Sequence, residues 1–204
     1  MDKYFVALCP ESKLSNLIYE KKEQIKNKAG DQKYLSHPAH TTLVVFTTND
    51  IDYSAKCLER VANKISKVPV SIGPLHVFYN DLLTGEHTIN YNFGESSLDL
   101  IKDIQLRVIN SIDKLNTKQV FTNNSELYKR LDLIEKKNID KYGFPFVGEN
   151  WIPHLTIASV EKSKFSEVFA NLQKEQITGD FLLDTLSLYK VADPSILIKK
   201  FDLL

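Results

Sequence analysis

The chain has few of the residues that mark special constructions. Two cysteines are too few for the disulfide frameworks of small secreted domains. Cys9 and Cys57 read instead as small apolar side chains of a strand and a helix. No apolar run approaches the roughly 18 residues of a membrane span. Met1-Asp2-Lys3-Tyr4 has none of a signal peptide's apolar character, so a cytoplasmic location is expected and the sequon at Asn123-Asn124-Ser125 carries no weight. An excess of one charge is also missing: 26 basic residues balance 26 acidic ones. That argues against a protein that coats long nucleic acid and for a small or short substrate in a local pocket. Histidines, cysteines and carboxylates do not cluster. His37 is followed by Pro38 with no carboxylate or cysteine beside it, so it reads as a loop residue, and neither metal nor cofactor is expected. No low-complexity stretch or linker divides the chain, and residues 1–204 read as one domain.

Hydrophobic spacing orders the chain. An apolar strand over Tyr4–Leu8 ends at Pro10. Leu14, Leu17, Ile18 and Ile25 then predict an amphipathic helix from Ser12, as N-cap, to about Lys28, with Gly30 as its stop. Its lysines, Lys21, Lys22, Lys26 and Lys28, interleave with Glu20 and Glu23 and read as a solvated face. After a loop, Asp31–Pro38, come a strand and a helix from about Asp52 to Ser66. A strand over Val68–Phe78, broken by Gly73-Pro74, and one over His87–Phe93 suggest a hairpin; His76 and His87 read as structural or surface residues. Helices follow over Ser97–Leu115 and Leu127–Tyr142, with a polar loop from Asn116 to Ser125 between them. Gly143 and Pro145 break the chain before another strand. A helix over Lys162–Lys174 and strands over Phe181–Val191 and Ile196–Phe201 complete it.

Two short stretches stand out: His40-Thr41-Thr42-Leu43 and His154-Leu155-Thr156-Ile157. Each opens a strand. Side chains two apart on a strand share a face, so each stretch presents an imidazole beside a hydroxyl. One such tripeptide means little; two, half a chain apart and each followed by strand, polar link and helix, form an internal echo. The echo predicts two similar lobes related by a pseudo-twofold axis.

With Phe5-Val6-Ala7 near the start, Pro153 before the second stretch, and Thr178-Gly179-Asp180-Phe181 leading into Leu186-Ser187-Leu188-Tyr189-Lys190, the chain resembles the 2H phosphoesterases, in particular their 2′-5′ RNA ligase-like branch. The resemblance implies an α+β fold, two antiparallel-sheet and helix lobes around a central cleft. It implies a monomeric hydrolase of 2′,3′-cyclic phosphates or related nucleotide and RNA-end diesters, with a nucleotide or short RNA as partner and no membrane. His40 would protonate the leaving oxygen, His154 would activate water, and Thr42 and Thr156 would hold the phosphate. The chemistry supports this: two near-neutral imidazoles can share acid and base duties, and hydroxyls can donate to phosphoryl oxygens as charge develops. Trp151 and Phe144, just before the second motif, could stack on a base, and Trp151 fits core packing equally well. Tyr34, Tyr189, Lys190 and Arg130 could also reach the substrate. The competing reading is a nucleotide- or RNA-end-binding module without turnover.

Overall fold

The computed structural model describes residues 2–112, 117–118 and 126–204. The Asn123 sequon, Leu115 and most of the polar stretch expected as a loop lie outside the described residues. The chain makes two passes of strand-helix-strand-helix-strand. The first is β1 (Lys3–Pro10), α1 (Ser12–Ala29), β2 (Thr41–Thr48), α2 (Ile51–Ala62) and β3 (Val68–Phe78). The second opens with β4 (His87–Phe93) and α3 (Glu95–Ser111). An insert then carries β5 (Thr117–Lys118), α4 (Glu126–Arg130), α5 (Leu133–Tyr142) and a 3-10 turn over Gly148–Asn150. The pass closes with β6 (His154–Val160), α6 (Lys162–Leu172) and β7 (Asp180–Lys190), and β8 (Ile196–Asp202) follows.

Pairing follows the repeat. The order is β5-β2-β1-β7-β3-β4-β6, with β8 also on β7, and every pair is antiparallel. Exchanging β1 with β4, β2 with β6 and β3 with β7 reads the central six strands backwards into themselves. Each pass therefore lends its third strand to the other's sheet. Helices obey the same exchange: α1 meets α6 as α3 meets α2, and α1 packs on β6 as α3 packs on β2. The pseudo-twofold axis runs through the β3–β7 pairing, from Val68 opposite Leu183 to Ser71 opposite Asp180.

β3 serves both lobes. Its start pairs with β7 and its end with β4, with a register shift between Ile72 and Leu75. Gly73 sits at the shift, where a Cβ would lie 3.2 Å from the Asn92 carbonyl oxygen. The Gly73-Pro74 interruption is thus the bend by which one strand crosses between lobes.

The helices bury the faces that spacing assigned them, Leu14, Ile18 and Ile25 on α1 and Ile101, Ile104 and Val108 on α3. These join residues of both lobes, Leu43 and Leu155 among them, in one continuous core. Four local expectations are corrected. Ser12 is the first helical residue rather than the cap; Glu11 holds the cap position and its carboxylate accepts from the Leu182 N–H. The helix expected over Leu127–Tyr142 is two helices, because Asp132 accepts from the N–H groups of Ile134 and Glu135 while Glu135 accepts from the Asp132 N–H. That reciprocal cap starts a new helix. Residues 117–118, expected in a loop, form β5 on β2. Lys21 and Lys22, expected on a solvated face, are 7% and 3% exposed. Lys22 Nζ donates to the carbonyls of Tyr34 (2.6 Å) and His37 (2.8 Å), and so holds the loop leading to the first His-x-Thr stretch.

Both His-x-Thr strands carry a bulge at the same place. Against β1, Val6 faces Val44 while Ala7 faces Thr42, leaving Leu43 extra. Against β4, Ile89 faces Ala158 while Asn90 faces Thr156, leaving Ile157 extra. The extra residue sends two consecutive apolar side chains to the core, Leu43-Val44 and Ile157-Ala158, while His and Thr stay on the other face. Gln105 of α3, 0% exposed, braces the first bulge and the approach to the second motif. Its Nε2 donates to the carbonyls of Leu43 (2.9 Å) and Phe146 (2.8 Å), and its Oε1 accepts from the Gly148 N–H (3.1 Å). Gln105→Leu strands the buried Leu43 carbonyl and the part-buried Phe146 carbonyl and Gly148 N–H and should cost about 3 kcal/mol, since each unsatisfied buried group costs on the order of 1–3 kcal/mol. Urea unfolding checks this; a variant as stable as the parent would show that the brace is idle.

Candidate active site

The strand starts that carry the two motifs touch. Thr41, 1% exposed, accepts at Oγ1 from the backbone N–H of His154 (3.3 Å). This contact joins β2 to β6, which lie far apart in strand order, and draws the two half-buried His-Thr pairs to one place. The imidazoles are held alike. His40 Nδ1 lies 2.7 Å from the Pro38 carbonyl oxygen, and His154 Nδ1 lies 2.7 Å from that of Ile152. A carbonyl can only accept, so Nδ1 carries the hydrogen in both rings. In the neutral form each Nε2 then holds the lone pair.

Burial lowers the pKa of both histidines. His40 is brought down to about 4 from 6.5, with smaller contributions from the charges of Lys22, His37 and His154. His154 is lowered mainly by burial, partly offset by the Ile152 carbonyl and Asp81. Near neutral pH both imidazoles are therefore neutral, and a bound anion would favour protonating one of them.

Each ring meets an aromatic from an exchanged strand, Tyr189 at 6.2 Å from His40 and Phe78 at 4.9 Å from His154. Phe5 lies against His40 at 5.1 Å between centroids and stacks on Tyr189 at 4.9 Å. Phe78 meets His154 edge-on at 4.9 Å and His76 at the same distance. Tyr189 on β7 and Phe78 on β3 are equivalents under the exchange. The ladders align further pairs: Ala7 with Asn90, both opposite the motif threonines, and Ser187 with His76, opposite those two in turn. Two residues further along each strand, Cys9 corresponds to Asn92. The first wall is thus apolar and aromatic and the second polar. On the polar wall, Asn90 Oδ1, Asn92 Oδ1 and His76 Nδ1 are buried without a hydrogen-bond partner among the described residues. Unmet groups of this kind cost on the order of 1–3 kcal/mol each.

The other candidates are scattered. Trp151 and Phe144 are core residues, 5% and 4% exposed, so the stacking expected of them is replaced by packing. Tyr189, 7% exposed, supports His40 through Phe5. Tyr34 is half-buried, with φ 71° and its hydroxyl pKa pushed up to about 12 by burial and the charge of Asp81. Lys190 pairs with Asp2 at 2.7 Å, and Arg130 donates to the Asn80 carbonyl at 3.4 Å; neither reaches a motif residue through these contacts. His37, expected as an exposed loop residue, is half-buried in its loop and shares a hydrogen bond with Ser195 (2.9 Å). The sequence reading passed over Asn90, Asn92 and Phe78; their only signal is that they alternate with core residues on β4 and β3. Among the described residues no group of three or more His, Cys, Asp or Glu could hold a metal ion, and no helix is long and apolar enough to cross a membrane.

A family model, the 2′-5′ RNA ligase superfamily, matches residues 14–194. The chain belongs to that superfamily. Membership supports an activity of the phosphodiesterase type. The fold agrees with solved members of the 2H phosphoesterase group. TT0787 of Thermus thermophilus superposes with a TM-score of 0.58 at 12% identity, over 98% of this chain and 97% of that one. Escherichia coli LigT, in a complex with NADP+, gives 0.52 at 11%, over 99% and 98%. A structure described as a phosphoesterase gives 0.51 at 14%, over 99% and 98%. No curated protein matches the chain at the sequence level.

The lowered pKa of His40 has a consequence for stability. Between about 4 and 6.5 the unfolded chain protonates this ring and the folded chain does not. Stability should be full above 6.5 and fall as the pH drops toward 4, with His154 acting in the same direction. His40→Asn removes the titration and should flatten the slope, recovering at most about 3 kcal/mol at the acid end. Urea midpoints across pH 4–7 measure the difference; parallel curves for the two proteins would contradict the burial of this ring.

Proposed function

We propose that this superfamily member hydrolyses 2′,3′-cyclic phosphates or related nucleotide and RNA-end diesters, 2′-5′ linkages among them, as one bilobal domain. His40, His154, Thr42 and Thr156 are its catalytic groups. The observation that carries the reading is the matched pair of imidazoles, each with Nδ1 on the carbonyl two residues back and Nε2 left for chemistry. The bound diester's charge favours one protonated ring, so the pair holds one acid and one base. His154 Nε2 takes a proton from water as the water oxygen attacks phosphorus. The bond to the leaving oxygen breaks, and that oxygen takes the proton held on the other ring, His40 Nε2 in the assignment the resemblance implies. Thr42 and Thr156 donate hydrogen bonds to the nonbridging oxygens, whose charge grows in the transition state. Solvent exchange returns the two rings to their starting states. This scheme calls on no metal ion. E. coli LigT structures hold NADP+ and ATP, which supports a nucleotide-bearing substrate.

A panel of 2′,3′-cyclic nucleotides, 2′-5′-linked dinucleotides and cyclic dinucleotides, assayed with EDTA present, tests the reading. His40→Ala and His154→Ala should each lose about 1,000-fold or more. Thr42→Ala and Thr156→Ala should lose about 100-fold in kcat while remaining folded. Full activity in either histidine variant would sink the mechanism, and binding without turnover across the panel would favour a binding module. Both free-enzyme rings are held below 6.5, so the bell of kcat/KM should centre below that pH. The bell of kcat should lie higher, because the bound anion stabilises the protonated ring.

A further inference from the structure

We infer that Asn90, Asn92 and His76 form a hydrogen-bonding subsite beside His154 and Thr156 that takes the sugar hydroxyl next to the phosphate of a ribonucleotide. The inference rests on the phosphodiesterase reading of those two motif residues. The ladders set Asn90 opposite Thr156, Asn92 opposite His154 and His76 opposite Asn90, so the three belong to the wall that holds the second motif. Asn90 is 0% exposed; its Nδ2 donates to the Thr88 carbonyl (3.3 Å), while its Oδ1 is unpartnered. Asn92 Oδ1 and His76 Nδ1 are likewise unpartnered, although both residues are half-exposed. His76 is close enough that its charge opposes protonation of His154.

Fold requirements do not explain this set. The equivalent positions of the first lobe hold Ala7, Cys9 and Ser187, beneath Phe5 and Tyr189, and the same strands form there without it. Its chemistry also narrows the ligand. The two amides carry no charge and their unmet oxygens are acceptors, which suit an O–H donor and not a second anion, while His76 Nδ1 can donate or accept. Adjacent strands are about 4.8 Å apart, a span that a phosphate and the hydroxyl on the neighbouring sugar carbon can bridge. A diester linked 2′-5′ keeps such a hydroxyl at its 3′ carbon, and an opened 2′,3′-cyclic phosphate gains one.

The test is equilibrium binding of three ligands to the full chain: adenosine 3′-monophosphate, its 2′-deoxy analogue and inorganic phosphate. The parent protein should prefer the ribonucleotide about tenfold, the worth of one good hydrogen bond. Asn92→Ala, at a half-exposed position, should bring that ratio to about one with phosphate affinity unchanged. Asn90→Ala should do the same, with its melting temperature monitored to separate misfolding from lost recognition. A ratio of one in a parent that binds phosphate overturns the subsite and leaves the phosphodiesterase reading standing. Equal weakening of all three ligands by Asn92→Ala also overturns it, because that is a packing effect. Absence of both phosphate binding and diester turnover removes the phosphodiesterase reading and the subsite with it.

Discussion

The antiparallel pairing of β3 with β7 is the constraint on which the molecule turns. Only Val68–Ser71 and Asp180–Leu183 take part, yet this short ladder lets each half donate its last strand to the other. Strand exchange brings Tyr189 to the first lobe and Phe78 to the second, so each lobe's histidine rests on an aromatic supplied by the other half. It also explains why α1 backs β6 and α3 backs β2. Neither lobe completes its own site, and moving one relative to the other would disturb both histidines at once.

On that symmetric frame the chemistry is uneven. The bulges at Leu43 and Ile157, the Nδ1 contacts and the aromatic supports recur in both halves, because the backbone must solve the same problem twice. The side chains between them differ. An apolar wall raises the cost of charge at His40, whereas the second wall offers amides and a further imidazole. A phosphate has local symmetry, but the two groups it joins do not, and a site of unequal walls can tell them apart.

The motifs were legible because strand period is short-range: His and Thr two apart must share a face wherever the strand goes. The bulges had a signal, the apolar doublets after each threonine, whose meaning depends on what lies across the ladder. Asp132 and Glu135 announced a helix start, and the periodicity of Leu127, Leu131 and Ile134 concealed it. Lys22 misled for a clear reason: a lysine among glutamates reads as solvated until loop carbonyls close over it. Phe144 misled in the opposite sense, and Trp151 fell to the core side of its two readings, since neighbouring a motif in sequence says nothing about which way a ring packs.

By itself the sequence determined most of the elements, the two His-Thr pairs and the repeat that relates them, because these follow from spacings of a few residues. Tertiary structure decided which faces meet. The Thr41–His154 hydrogen bond, the burial that lowers the histidine pKa values, and the unmet polar atoms on β3 and β4 all join residues far apart in the chain. Alternation on β4 sets Thr88, Asn90 and Asn92 apart from Ile89, Tyr91 and Phe93. Only the closing of the second lobe makes that polar face part of the wall beside His154 and Thr156, because its environment is set by contacts between strands and not by position along one.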